Sequence, residues 1–210
     1  INDKEQLTGI RLNVPSLDHV HVAVAAPADP FSQTARSIAS LGMYQPIPSL
    51  DRQVLIRGTL IHHTPGSYLL VGEEHDVIRV FSRDTTPLKP GDVVEVVGVP
   101  GRMSNRVVLR EAIYRSTGET QLAQAQPFPA GVAVDPDWDG RLVSVEGIII
   151  GTNTFGNETR LYMRTEGIPC EIVHEHTTDS GNPRIHASVG SLVSLVGVYL
   201  VEYDEYQTPK

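Results

Sequence analysis

Hydrophobic residues come in short runs along most of the chain, alternating with polar ones and closed by glycine, proline or aspartate. The run Val54-Leu55-Ile56-Arg57-Gly58-Thr59-Leu60 is followed by Ser67-Tyr68-Leu69-Leu70-Val71-Gly72 and Val77-Ile78-Arg79-Val80-Phe81. After the turn Pro87-Leu88-Lys89-Pro90-Gly91-Asp92 come Val93-Val94-Glu95-Val96-Val97-Gly98-Val99 and then Val107-Val108-Leu109-Arg110-Glu111-Ala112-Ile113-Tyr114. Short β-branched runs between turn residues predict strands, not helices. A helical turn or two is predicted around 35–41, stopped before Pro46 and Pro48 because proline lacks the N–H and clashes with the turn before it.

The plan repeats. A second series opens with Arg141-Leu142-Val143-Ser144-Val145-Glu146-Gly147-Ile148 and continues through Thr159-Arg160-Leu161-Tyr162-Met163-Arg164 and Cys170-Glu171-Ile172-Val173-His174. Val189-Gly190 then leads into Leu192-Val193-Ser194-Leu195-Val196-Gly197-Val198-Tyr199. Gly58 matches Gly147 at an offset of 89, and Gly98 matches Gly197 at an offset of 99. About ten extra residues, around 176–188, therefore separate the third and fourth strands of the second copy. Glycine inside strands one and four suits the tight bends of a small barrel. Five strands with a strongly coiled first strand describe an OB-type barrel. The expected fold is all-β: tandem OB-like five-stranded barrels with little helix.

This reading divides the chain into a closing segment at 1–26, a linker with a short helix at 27–50, a first barrel at 51–116, a second linker at 117–139 and a second barrel at 140–210. The second copy shows no fifth strand after Tyr203-Asp204-Glu205-Tyr206-Gln207. Asp3 and Gln6 match Asp204 and Gln207, both at an offset of 201. Residues 1–26 therefore read as the closing strand of a preceding or permuted repeat. A bare sheet edge invites pairing, so 7–24 is expected to add to an open edge, within the chain or in a dimer formed by strand exchange. The start at Ile1 reads as a piece of a longer protein.

Composition narrows the function. The 210 residues are 40% hydrophobic and 20% charged, enough for a sizeable core, and 18 glycines with 15 prolines suit many short turns. No stretch approaches the apolar length of a membrane span, and no charged segment followed by an apolar one marks a signal peptide. A net charge of −8 argues against nucleic acid, whose binders draw affinity from a basic stripe that releases counterions. The single cysteine, Cys170, excludes an internal disulfide framework and a cysteine zinc site.

Among candidate chemistries, His174 and His176 fall on one strand face as a metal pair requires, with His62-His63 and His75 elsewhere, but spacing gives no third ligand. Ser67, Ser104 and Ser191 lie in turns without a Gly-x-Ser-x-Gly elbow. Asp135, Asp137 and Asp139 lack the later glutamate of a calcium loop and read as turn formers. No catalytic residue, metal or cofactor is expected. The better candidate is a binding face. Arg160, Tyr162 and Arg164 alternate with Leu161 and Met163, so strand two of the second copy is basic and aromatic on one side. OB barrels receive ligands on the face of strands two and three, between the one–two and four–five loops. Guanidinium and phenol groups there stack on a base or sugar, or clamp a carboxylate. The first copy offers Tyr68 and Arg79 in comparable strands, with Arg102, Asn105 and Arg106 near the four–five loop. The competing reading is a plain solvated face with arginine stems lying on apolar surface.

The stretch Asn2-Asp3-Lys4-Glu5-Gln6-Leu7-Thr8-Gly9, with Val14-Pro15-Ser16-Leu17-Asp18-His19-Val20 and Asp29-Pro30-Phe31, resembles a recurrent segment of large bacterial sensor proteins. So does Leu88-Lys89-Pro90-Gly91-Asp92-Val93-Val94-Glu95-Val96-Val97-Gly98. In the extracytoplasmic region of bacterial sensor histidine kinases and related membrane receptors, a string of OB-like barrels precedes a transmembrane helix and a cytoplasmic kinase or other output module. The resemblance covers essentially the whole chain and implies a periplasmic, non-catalytic sensor region of a two-component signalling receptor. Its partner would be an unknown small molecule or protein, and the flanking segments would reach the membrane and the kinase. It supplies no ligand and no binding residues. Two alternatives are a single-stranded nucleic-acid-binding OB protein, which predicts salt-sensitive affinity, and an accessory domain of a secreted hydrolase.

Overall fold

The computed structural model describes residues 12–23, 28–42, 53–103, 106–128, 135–156, 158–175 and 187–201. The chain divides into two units, Ile1–Ser32 and Gln33–Lys210. In the first, a short 3-10 turn at Leu17–His19 is capped by the Ser16 hydroxyl, which accepts from the Asp18 N–H at 3.2 Å. A second turn at Pro30–Ser32 is held by the Asp29 carboxylate, which accepts from the Phe31 N–H at 2.9 Å. The strand expected in 7–24 is not seen among the described residues 12–23, and the remainder of that segment lies outside them.

The second unit is all-β. It holds β1 (Val54–Thr64), β2 (Tyr68–Glu73), β3 (Asp76–Phe81), β4 (Asp92–Met103) and β5 (Arg106–Thr120), which close into a five-stranded barrel in the order β1-β2-β3-β5-β4. There follow the two-residue β6 (Gln126–Pro127), β7 (Leu142–Phe155), β8 (Glu158–Thr165), β9 (Ile168–Glu175) and β10 (Leu192–Val198), in an open sheet ordered β10-β7-β8-β9 with β6 parallel to β7. The predicted helix is α1 (Ile38–Leu41), capped by the Ser37 hydroxyl. β5 continues to Thr120, past the expected barrel boundary at 116, because its pairing with β4 runs as far as Asp92↔Thr120.

The glycine register read from sequence is the register of the ladders. Gly58 stands opposite Val94 and Gly98 opposite Val54. In the second copy Gly147 stands opposite Val193 and Gly197 opposite Val143. The first strand of each copy pairs with strand four along one half and strand two along the other, changing neighbour near the glycine. A Cβ on Gly58 would lie 2.5 Å from the Gly72 carbonyl oxygen, and one on Gly147 would lie 2.7 Å from the Arg164 carbonyl oxygen. Each copy then carries a bulge at the same place, between Leu60 and His62 and between Ile149 and Gly151. Such a bulge bends and twists the strand, and so turns it from one neighbour to the next.

One shared feature had no sequence signal. Ahead of each first strand, a short segment pairs with it in parallel: the Arg36 N–H donates to the Leu55 carbonyl and the Phe128 N–H to the Ser144 carbonyl, both at 2.8 Å. Each segment delivers an apolar side chain to a core, Ile38 to the barrel and Phe128 to the second sheet. The barrel core is dry: Ile56, Val71, Val80, Val94, Val96 and Leu109 are fully buried. The second core is smaller, formed by Val145, Ile149, Leu161 and Met163.

Substituting the two switch glycines is expected to destabilise where the matching strand-four glycine of the second copy tolerates change. Gly58→Ala and Gly147→Ala force a Cβ onto backbone oxygen and are expected to cost about 1–3 kcal/mol, as overpacking does. Gly197→Ala meets nothing within 4 Å and is expected to stay within about 0.5 kcal/mol of the parent. Chemical unfolding of the three variants checks this, and a Gly58→Ala protein as stable as the parent would remove the close-approach argument.

Candidate functional site

The outer face of β2 and β3, where OB barrels receive ligands, is turned toward the second sheet. The β2–β3 turn carries Glu74 at φ 55 and runs directly against the start of β7. The Val77 N–H donates to the Gly140 carbonyl at 2.8 Å, and the Leu142 N–H donates to the His75 carbonyl at 3.0 Å. Asp76 and Arg141 form an isolated antiparallel bridge between them. The first barrel thus continues its hydrogen bonding into the second sheet.

A clamp fixes the other end of this junction. Arg106, at the start of β5, donates through Nε to both carboxylate oxygens of Asp139, at 2.9 and 3.0 Å, and through Nη2 to Oδ1 at 2.7 Å. The same Nη2 donates to the Val201 carbonyl at 2.6 Å, and the Val201 N–H donates to Asp139 Oδ1 at 2.9 Å. The Asp139 side chain is only 9% exposed and that of Arg106 28%, so the pair works in partly desolvated surroundings. Asp135, as expected of an Asp-Pro pair, makes a turn: its side chain accepts from the Asp137 N–H at 2.9 Å. Asp139 is different from its neighbours in the Asp-x-Asp-x-Asp run, and nothing in the spacing marks it out.

Between these contacts lies a cleft of about 510 Å³ with walls from both sheets. Leu70 and Val107 come from the barrel, and Val198 and Leu200 from beyond β7, with Arg79 and Asp137 among the polar groups at the lining. A smaller cavity of about 300 Å³ is lined by Thr59, Ile61, His75 and Leu142. There the buried His75 Nδ1 has no hydrogen-bond partner.

The structure brings Tyr68 and Arg79 together. The Arg79 guanidinium lies 4.7 Å over the Tyr68 ring, His62 is 5.5 Å from it on the other strand, and the Tyr68 hydroxyl donates to Glu175 Oε2 of β9 at 2.5 Å. Burial first, then the hydrogen bond to Glu175, push the Tyr68 phenol up to about 12. Burial also holds the His62 imidazole below its ordinary 6.5, outweighing the Glu175 carboxylate, which acts the other way. Arg106, besides serving the clamp, lines the same cleft as Arg79. Arg102 is exposed and lines neither cavity; its carbonyl accepts from Arg110 at 3.1 Å. Asn105 lies outside the described residues.

Arg160, Tyr162 and Arg164 do form one face of β8, alternating with buried Leu161 and Met163. They line neither cavity. Arg160 is held between Glu158 and Glu171, the latter at 2.8 Å, so its charge is met by carboxylates of its own sheet. Of the histidine pair considered in the sequence, His176 lies outside the described residues, and among the described residues no three His, Cys, Asp or Glu are grouped to hold a metal. Glu175, which reaches across to Tyr68, had no signal in the sequence beyond its place beside His174.

No protein-family model matches the chain, and no curated protein matches it. Two solved structures share 9% identity with it. A murine DNA binding protein bound with ds DNA aligns over 61% of this chain and 80% of its own at a TM-score of 0.32. A structure described as "structural mimicry for functional antagonism" aligns over 68% and 80% at a TM-score of 0.33. Likenesses this low carry no argument about fold or function.

Two outcomes test the junction. Asp139→Ala removes the carboxylate that accepts from Arg106 and from the Val201 N–H, leaving Arg106 the Val201 carbonyl, and is expected to cost about 2 kcal/mol, as lost charged hydrogen bonds do. It should also open the 135–141 segment to limited proteolysis; unchanged unfolding and cleavage would deny the clamp its role. In the pH dependence, the raised Tyr68 value contributes stability that is complete below the ordinary 10.0 and lost as pH climbs toward about 12. The lowered His62 value contributes stability present above 6.5 and lost on acidification below it. An ultraviolet phenol titration of the parent and Tyr68→Phe should show one late-ionising tyrosine fewer in the variant.

Proposed function

We propose that this chain is a non-catalytic binding region, the extracytoplasmic sensing part of a bacterial two-component receptor, and that its ligand or partner settles in the cleft between barrel and second sheet. One observation supports the binding part: the outer face of β2 and β3 forms one wall of a cleft whose opposite wall comes from Pro136, Asp137, Asp139, Gly140, Val198 and Leu200, at the ends of the second sheet. An occupant there touches both bodies, so its affinity depends on the angle between them. Signalling needs this, because a ligand shifts a conformational equilibrium only by its difference in affinity for the two arrangements. The sensor assignment draws its support from the sequence resemblance, and the periplasmic location follows from it.

The arginines give the nucleic-acid reading little support. Arg57, Arg115, Arg106 and Arg160 are each paired with a carboxylate, and the chain carries a net −8. Fluorescence anisotropy with a single-stranded oligonucleotide is expected to show no binding that weakens steeply with salt. Tight, salt-sensitive binding would overturn the proposal in favour of that alternative.

Native mass spectrometry of the purified chain, followed by a thermal-shift screen, tests the cleft directly. A ligand that raises Tm is expected to lose about tenfold in affinity in Arg79→Ala, equivalent to about 1.4 kcal/mol, and to be excluded by Leu70→Trp. The same ligand binding unchanged to both variants but lost in Arg160→Ala/Arg164→Ala would place the site on the β8 face and refute the cleft.

A further inference from the structure

The cleft beside the clamp carries charge of both signs that the chain leaves unmatched. Arg79 stands on the outer face of β3, directly across from Leu70 of β2, and its guanidinium lies 4.7 Å over the Tyr68 ring. A cation–π contact uses none of the guanidinium's N–H donors. Among the described residues no carboxylate forms an ion pair with Arg79; Glu175, at the hydroxyl end of the ring, accepts from Tyr68. On the opposite wall Asp137 sits in the turn Pro136–Trp138. Its N–H donates to Asp135 at 2.9 Å, while its own carboxylate pairs with no cation among the described residues. The same holds for Asp76, on the barrel side of the lining.

The rest of the lining sets what those charges can hold. Arg106 and Asp139 neutralise each other through their paired hydrogen bonds. Leu70, Val107, Val198 and Leu200 are apolar, and Leu200 is half exposed. An anion here would meet Arg79 but also two carboxylates, and a cation would meet the carboxylates but also Arg79. Either one leaves a charge of the cleft unmatched, which is costly once the site is closed to water. A molecule with one charge of each sign on an apolar body matches both. An α-amino acid is such a molecule: its carboxylate suits the guanidinium fork, and its ammonium suits a carboxylate. A few placed polar groups in a mostly apolar lining are also the usual make-up of a small-molecule site.

We propose that the cleft takes a free α-amino acid with an apolar side chain, its carboxylate on Arg79, its ammonium on Asp137 and its side chain among Leu70, Val107 and Leu200. This rests on the cleft being the binding site and adds the chemical class of its ligand. Two charges on opposite walls make the selection, so a molecule lacking either charge, or the apolar side chain, binds more weakly.

Isothermal titration calorimetry of the chain tests this with L-leucine and two analogues of the same shape: isoamylamine, which lacks the carboxylate, and isocaproate, which lacks the ammonium. Leucine is expected to bind about tenfold more tightly than either analogue, and about tenfold more tightly than serine. This series uses the parent alone, so it does not depend on how a variant folds. Arg79→Gln should bring leucine down to the level of isoamylamine, and Asp137→Asn to the level of isocaproate, with circular dichroism spectra like the parent's. An analogue that binds as tightly as leucine overturns the proposal, and so does leucine binding that both variants leave unchanged. A parent that binds neither leucine, methionine nor phenylalanine, yet holds another ligand that Leu70→Trp excludes, refutes the amino acid and leaves the cleft as the binding site. A cleft that takes no ligand at all refutes both.

Discussion

A strand that must serve two neighbours sets the plan of this molecule. In each copy the first strand gives one half of its length to strand four and the other half to strand two, and at the changeover the backbones come within touching distance. Only hydrogen fits there: a Cβ on Gly58 would sit 2.5 Å from a carbonyl oxygen. The bulge shortly after each glycine supplies the turn that a flat, two-sided ladder lacks. Barrel curvature, the inward set of side chains and the direction in which β2 and β3 face all follow from those few residues. Once β2 and β3 are placed, the position of their outer face against the second sheet is a consequence of where the β2–β3 turn meets Gly140 and Leu142.

Closure then decides how much core each copy owns. In the barrel, β5 brings Leu109, Ala112 and Tyr114 inward, and strands three and four become as dry as strands one and two. The Tyr114 hydroxyl reaches the Asp84 and Thr86 carbonyls at 3.1 and 2.9 Å, so even its polar end is satisfied. Gly98 is crowded by Ala112 at 3.0 Å, whereas its counterpart Gly197 meets nothing within 4 Å. The same glycine in the same register is thus under steric demand in one copy and free of it in the other, because the demand comes from the fifth strand and not from the strand that carries the glycine.

The sequence was a good guide to whatever is periodic and a poor one to whatever is not. Alternation along Val54–Leu60 and Arg160–Arg164 placed strands and faces correctly, and glycine offsets reproduced the ladder register, since both rest on the two-residue period of a strand. Tyr68 and Arg79, candidates that the sequence offered separately, meet for the same reason: they are outward positions on adjacent strands. The clamp was not legible. Arg106 and Asp139 are 33 residues apart and Glu175 is 107 from Tyr68, and no local spacing encodes a contact between two sheets. Arg160 was singled out for its chemistry, yet its neighbours Glu158 and Glu171 absorb that charge.

The junction's chemistry bears on what it can do. Partly buried ion pairs contribute little net stability relative to apolar packing, but they are intolerant of misplacement, because losing one partner leaves the other desolvated and unmatched. Arg106 meets a carboxylate and a carbonyl at once, and Asp139 serves both Arg106 and the Val201 N–H, so the clamp is satisfied in one relative placement of barrel and sheet. The Tyr68–Glu175 hydrogen bond adds a second, single-bond tie at another place, easier to break and remake. The cleft lies beside this clamp, with Arg106 and Asp139 in its own lining, so an occupant there would meet the ion pair directly.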